Sequence, residues 1–171
     1  MLAPGAGWGT RATWADLGCG TGTFTLALAE LLGAGSLIIA IDLDADALAA
    51  LPGTRGNVQI VARQHDLETF ELPVSLDGVL LANSLHYVRG QTTLLQRVAR
   101  ALEPAGRCII VEYDTEKPLP PWVPFPVSQS TARTLLCKAG LTVIEQLATR
   151  PSIYRRAALY SLQARSSDQA S

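Results

Sequence analysis

The chain has 171 residues, 48% of them hydrophobic, and a net charge of −1. That length suits a single domain over residues 1–171 with a core large enough to fold alone, and the near-neutral charge argues against a general nucleic-acid surface. Three scattered cysteines form neither a disulfide framework nor a zinc pattern. No metal site is therefore expected, and the lack of a basic leader or a membrane-length apolar run points to the cytoplasm and away from a membrane.

Residues 1–11 are glycine-rich and expected to be loose. Residues 12–15 read as a short buried strand, and residues 24–32, Phe-Thr-Leu-Ala-Leu-Ala-Glu-Leu-Leu, as a helix buried on most sides. Between them runs Asp16-Leu17-Gly18-Cys19-Gly20-Thr21-Gly22. Glycines at alternate positions let the backbone turn sharply and leave it bare, so that a ligand can lie against it. Strand, glycine turn and helix in that order is the context in which a glycine pattern indicates a nucleotide site.

Two details narrow the ligand. The spacing is G-x-G-x-G, one residue short of the dinucleotide G-x-G-x-x-G, and the carboxylate of Asp16 would repel a pyrophosphate at the helix N-terminus. Both features suit a ligand that has no phosphate and carries positive charge. The stretch resembles the first motif of the class I S-adenosylmethionine-dependent methyltransferases, and the chain is similar to their small-molecule branch. The resemblance implies S-adenosyl-L-methionine as cofactor, S-adenosyl-L-homocysteine as product, and cofactor contacts from Asp16, Gly18, Cys19, Gly20, Thr21 and Gly22. A tight turn without a ligand is the alternative. Family members usually carry helices before the first strand that cover the cofactor. In this chain the site is expected to be open, covered by a partner subunit in a homodimer, or covered by the proline-rich segment downstream.

Gly33 and Gly35 mark a helix stop, and residues 36–41 form an apolar run typical of a strand buried on both faces. The run ends at Asp42, 20 residues beyond Gly22, close to the spacing at which an acid meets ribose hydroxyls. The resemblance gives Asp42 that role, with Leu43 beside it. The alternative is an N-cap for a helix over residues 45–51, for which Asp44 is better placed. Residues 57–62 are a third strand. The resemblance places Asp66 on the adenine amino group and Leu67 against the ring, whereas His65 reads as a loop histidine.

Residues 77–83 are a fourth strand, followed by Ser84-Leu85-His86-Tyr87. In the family this segment runs along the methionine end of the cofactor and faces the acceptor, which implicates Asn83, Ser84 and His86. The Asn/Asp-Pro-Pro-Tyr/Phe tetrapeptide of base and glutamine methylation is absent, as are the paired acids of metal-dependent catechol-type enzymes. Residues 91–102 are an amphipathic helix. Residues 102–106 resemble the family's L-x-P-G-G-x turn, with Ala105 in place of the first glycine, a residue that tolerates positive φ poorly. A strand over 107–111 follows, closed by Glu112-Tyr113-Asp114.

Residues 118–126 hold five prolines around Trp122 and Phe125 and should stay extended, as a wall or lid of the acceptor pocket or as a stiff connection. A helix over 128–139 and strands over 141–149 and 157–164 complete the pattern. Arg150, Arg155 and Arg156 form a basic turn, and residues 166–171 read as a disordered tail.

Alternating strands and helices imply an α/β three-layer fold around a mainly parallel sheet. The resemblance, covering about residues 12–164, implies a Rossmann-like seven-stranded sheet with the last strand antiparallel. Residues 1–86 hold nine acids against three arginines, which favours a cationic cofactor by long-range attraction. The chemistry implied is metal-independent displacement of the sulfonium methyl onto a small-molecule acceptor, with His86 and Tyr113 as candidate bases. A noncatalytic cofactor-binding or scaffold protein is the alternative, followed by an NAD-type oxidoreductase.

Overall fold

The computed structural model describes residues 1–2, 8–73, 75–151 and 157–167. Arg155, Arg156 and residues 168–171 of the expected tail lie outside them. In chain order the elements are β1 (Thr13–Leu17), α1 (Thr23–Ala29), β2 (Leu37–Asp42), α2 (Ala45–Ala49), β3 (Thr54–Arg55), β4 (Val58–Gln64) and β5 (Leu76–Ala82). A 3-10 turn (Leu85–Tyr87), α3 (Gln91–Ala101), β6 (Leu102–Tyr113), α4 (Gln129–Lys138), β7 (Val143–Pro151) and β8 (Ala158–Arg165) follow.

The strands form one sheet in the order β3-β4-β2-β1-β5-β6-β8-β7. β4, β2, β1, β5 and β6 run parallel, β8 is antiparallel to β6, and β7 is antiparallel to β8. The family-like seven strands are thus present, and the eighth is β3, a two-residue edge strand paired with β4. β1 has β2 on one side and β5 on the other, so the chain's winding reverses at β1. In open α/β sheets the crevice beyond the carboxyl end of such a strand is where ligands sit.

The long apolar runs exist because both faces of the sheet are covered. On one face Ala15, Leu17, Val79, Leu81, Ile110 and Leu162 pack with Leu94, Leu95 and Val98 of α3 and Leu136 of α4. On the other, Trp14, Ile38, Ala40, Leu80, Ile109 and Val111 pack with Leu28 of α1 and Leu48 of α2. Each fully buried leucine contributes about 2 kcal/mol.

Two expectations are corrected here. The N-terminal segment is tied down where it is described: Trp8 stacks on Trp14 at 5.6 Å, Gly9 N donates to Leu31 O at 2.8 Å, and Met1 O accepts from Ser161 Oγ at 2.8 Å. Residues 102–106 do not stand apart as a turn but lead into β6 as an irregularity, since Leu76 pairs with Leu102 and Gly78 already with Arg107. Ala105 is not among the residues of positive φ, so the strain expected there does not arise.

Candidate active site

β1 ends at Leu17, and the glycine turn follows with φ of +73° at Gly18 and +52° at Gly20. Gly18 N and Cys19 N donate to Ile41 O at 2.7 and 3.0 Å, which pins the turn to the end of β2. A Cβ on Gly18 would lie 2.4 Å from Ser84 Cβ, whereas one on Gly20 would meet nothing within 4 Å. Packing therefore demands glycine at 18, while the bare side of Gly20 opens onto free space. Asp42, the last residue of β2, accepts from Gly20 N at 2.7 Å through Oδ2 and from Asp44 N at 3.0 Å through Oδ1. Asp44 caps α2, accepting from Asp46 N and Ala47 N, as expected from its position.

Asp16 is fully buried. Its Oδ2 accepts from Thr25 Oγ1 at 2.6 Å, and its Oδ1 has no partner. Burial is the main force on this carboxyl and raises its pKa to about 7; the Thr25 bond opposes the rise and the charge of Asp42 adds to it. Two more buried oxygens without partners, Asn83 Oδ1 and Ser84 Oγ, follow β5 at the same edge of the sheet. A buried polar atom left without a partner costs about 1–3 kcal/mol, so each of the three marks a point that lacks a donor. Asn83 reaches there through a φ of +55°, a conformation asparagine tolerates better than most residues. A ligand carrying an ammonium group suits such unpartnered oxygens at the strand ends. Cys19, beside it, has its thiol pushed up to about 12 by burial and by Asp16 and Asp42, which keeps it neutral.

On the β4 side, Asp66 is exposed and its Oδ1 accepts from Glu68 N at 2.8 Å. Leu67 Cδ1 comes within 3.6 Å of the Cβ position at Gly18, so this loop reaches the glycine turn. Leu43 is 66% exposed beside Asp42, an unusual degree of exposure for a leucine. Thr21 is exposed, and His65 stacks on Phe70 at 4.5 Å.

On the β5 side, His86 and Glu112 form a buried pair. Glu112 Oε2 lies 2.6 Å from His86 Nδ1, and Oε1 accepts from His86 N at 3.2 Å. Sequence reading missed Glu112, which stands 26 residues from its partner; the one available signal was an acid inside an apolar strand, which has to find a partner. Tyr113, the next residue of β6, projects from the opposite face of the strand. The residue bonded to His86 is therefore Glu112.

The proline-rich segment is fastened to this region. Leu119 and Val123 exchange N–H···O bonds of 2.9 and 2.8 Å, and Phe125 N donates to His86 O at 3.0 Å. Gln91 Nε2 donates to both Phe125 O and Leu85 O, and the Arg89 guanidinium lies 5.5 Å from the Phe125 ring centroid. Tyr87 and Trp122 are 53% and 67% exposed. A wider groove at the start of α4, lined by Asp114, Glu116, Ser128, Gln129 and Gln146, has polar groups bonded to one another: Ser128 Oγ to Glu116, Gln129 N to Asp114 and Gln129 Nε2 to Gln146. It presents no orphaned atom of the kind found beside the glycine turn.

Among the described residues no helix is long and apolar enough to cross a membrane, and no group of three His, Cys, Asp or Glu is placed to hold a metal ion. The chain is 30% identical over 123 residues to a cypemycin N-terminal methyltransferase of Streptomyces sp, covering 64% of this chain and 49% of the relative. It is 31% identical over 99 residues to a ubiquinone biosynthesis O-methyltransferase of Xanthomonas oryzae pv. oryzae, covering 56% and 40%. The chain thus spans less than half the length of these curated relatives. In fold it is similar to an S-adenosylmethionine-dependent methyltransferase from Mesorhizobium loti, at a TM-score of 0.70, 19% identity and 92% of both chains. The DhpI–SAH complex gives a TM-score of 0.70 at 21% identity, over 92% of this chain and 78% of that one. The family model described as a methyltransferase domain matches residues 15–106, from the strand that carries Asp16 to the end of the irregularity opening β6. The chain belongs to this methyltransferase-domain family.

Proposed function

We propose that the protein transfers the methyl group of S-adenosylmethionine to a small-molecule acceptor by direct, metal-independent displacement. The observation that carries this reading is the set of buried, unpartnered oxygens of Asp16, Asn83 and Ser84, with Ser84 packed against Gly18 of the glycine turn. They stand where the winding of the sheet reverses, and they suit the ammonium end of the cofactor. Asp42 is the ribose acceptor, with the lone pairs that its bonds to Gly20 N and Asp44 N leave free, and Asp66 and Leu67 take the base. Gly18, Cys19, Thr21, Gly22 and Leu43 complete the wall around it.

A cofactor held there would supply an electrophilic methyl on a sulfonium; the acceptor's lone pair would take the methyl while the sulfur keeps the bonding pair, leaving S-adenosylhomocysteine. The protein's part is mainly alignment and charge. Asn83 and Ser84 orient the amino-acid end, and the proline-rich segment, held on His86 O, walls the acceptor side. Where the acceptor has to lose a proton, His86 receives it while Glu112 holds the imidazole through Nδ1 and steadies the cation formed. Metal independence is favoured by the Ala82-Asn83-Ser84 end of β5, which offers no carboxylate pair. Near-neutral charge favours a small acceptor over nucleic acid, and a homodimer is one way to cover the site.

Isothermal titration with S-adenosylmethionine, S-adenosylhomocysteine and NADH tests the cofactor. Labelled-methyl transfer to pools of phenols and of amines, to RNA and to protein, with and without a chelator, tests the acceptor. Both small-molecule pools are needed, because one relative carries an O-methyltransferase name and the other an N-terminal one. Labelling of RNA or protein alone would refute the acceptor class. Binding without transfer to any pool would favour the noncatalytic alternative.

A further inference from the structure

The loop after β4 is irregular over residues 65–73 and largely exposed, yet its 67–70 stretch is gripped from α3 at two points. At the front of the helix, where the N-cap Gly90 offers no side chain, Arg89 N donates to Glu68 Oε1 at 2.6 Å and Gly90 N lies 3.3–3.4 Å from both Glu68 oxygens. Further along the same helix, Arg97 Nη2 donates to Leu67 O at 2.6 Å and to Glu68 O at 3.1 Å, and Nη1 donates to Phe70 O. The helix is itself anchored by Leu94, Leu95 and Val98, each at most 1% exposed. A carboxylate thus holds the two N–H groups just ahead of the helix from the loop, and a guanidinium returns from the helix to three loop carbonyls. The planar fork of arginine suits such a set of acceptors, and lysine has no equivalent geometry.

This clasp has a directional consequence. Asp66 Oδ1 is committed to Glu68 N, which leaves Oδ2 for a ligand, and Leu67 is carried towards the glycine turn. The geometry points to Arg97 and Glu68 as positioning residues for base recognition: they hold residues 66–70 so that Asp66 and Leu67 meet the cofactor's base, and they set the site's preference for a 6-amino purine from α3. The inference rests on the reading of Asp66 and Leu67 as the base contacts. It adds that this selectivity depends on side chains that do not touch the cofactor. Because Arg89 directly follows the 84–88 segment, the same clasp ties the base side of the site to the acceptor side.

The test compares S-adenosylhomocysteine with S-inosylhomocysteine, whose base carries an oxo group where adenine has its amino group, by calorimetry on the whole chain. Arg97→Met should weaken S-adenosylhomocysteine about tenfold and the inosine analogue less than about twofold, so that base discrimination collapses. Arg97→Lys should restore only part of it, and Glu68→Gln should fall between. If Arg97→Met does not fold, Arg97→Lys and Glu68→Gln carry the same comparison. A purely structural Arg97 would weaken both ligands alike and leave their ratio unchanged, and that result overturns the inference. Asp66→Asn separates the two layers. If Asp66→Asn keeps wild-type discrimination, the base reading itself fails and the inference falls with it. If it abolishes discrimination while the Arg97 and Glu68 variants retain it, the inference alone is wrong.

Discussion

Cofactor affinity should depend on pH through Asp16. Burial raises this carboxyl to about 7, so near pH 6 only about one molecule in eleven of the free protein carries the charge that a cationic ligand needs. Binding the ammonium end selects the ionised form, so the affinity is full above the raised pKa and is lost as pH falls through it. The loss at pH 6 should be about tenfold, or about 1.4 kcal/mol, with a slope approaching one proton per pH unit below that. Folding of the free protein runs the other way. The carboxyl titrates near 4 when unfolded, so the stability contributed by its neutral folded form is fully present below about pH 4 and is lost as pH rises through 7, with a ceiling of about 4 kcal/mol. Asp16→Asn removes both dependences: its affinity for S-adenosylhomocysteine should be flat with pH and weaker at neutral pH by about 1.5–3 kcal/mol, the worth of a bond to a charged group. Calorimetry between about pH 5.5 and 7.5, below the titration of the ligand's own amine, measures the slope. A wild-type affinity that ignores pH, or the same slope in Asp16→Asn, would show that this carboxylate does not meet the ligand's charge.

The two glycines should separate. Gly18→Ala, which drives a Cβ to 2.4 Å from Ser84 Cβ, should lower the melting temperature markedly, whereas Gly20→Ala should cost only the roughly 1–2 kcal/mol of its positive φ yet abolish cofactor binding, as thermal melts and titration will show. Asp42→Ala should weaken the cofactor by about 2–4 kcal/mol, while Asp44→Ala should cost about 1 kcal/mol of stability as a lost helix cap and leave affinity nearly unchanged; equal effects on binding would overturn the ribose assignment. Glu112→Gln should reduce kcat by about tenfold to a hundredfold without altering S-adenosylhomocysteine affinity, whereas Tyr113→Phe should change neither. Trp122→Ala, at an exposed position of the proline-rich segment, should raise the acceptor's KM and leave that of the cofactor alone in steady-state kinetics.

Much of the fold was legible because its signals are local. A continuous apolar run marked β2 as buried on both sides, and three alternate glycines after a strand marked the turn whatever lay around it. Asp44 declared itself as a cap by standing just before the helix it starts. The misreadings arose where a distant part of the chain overrode a local signal. Residues 102–106 carry turn chemistry, but pairing with β5 draws them into a strand, and the glycine-rich N-terminus is held by Leu31, Trp14 and Ser161.

The site divides along the same line. The sequence alone determined which residue types stand at or just beyond the ends of the parallel strands, Asp16, Asp42, Asp66 and Asn83, because strand direction places them all at one edge of the sheet. It did not determine their chemical state or their partners. Only the tertiary structure closes the core around Asp16 and so raises its pKa, brings Glu112 to His86 across 26 residues, turns Tyr113 to the other face of β6, and folds Arg97 back onto the loop of Asp66. Desolvation and hydrogen-bond geometry arise from atoms far apart in sequence, so no local pattern encodes them.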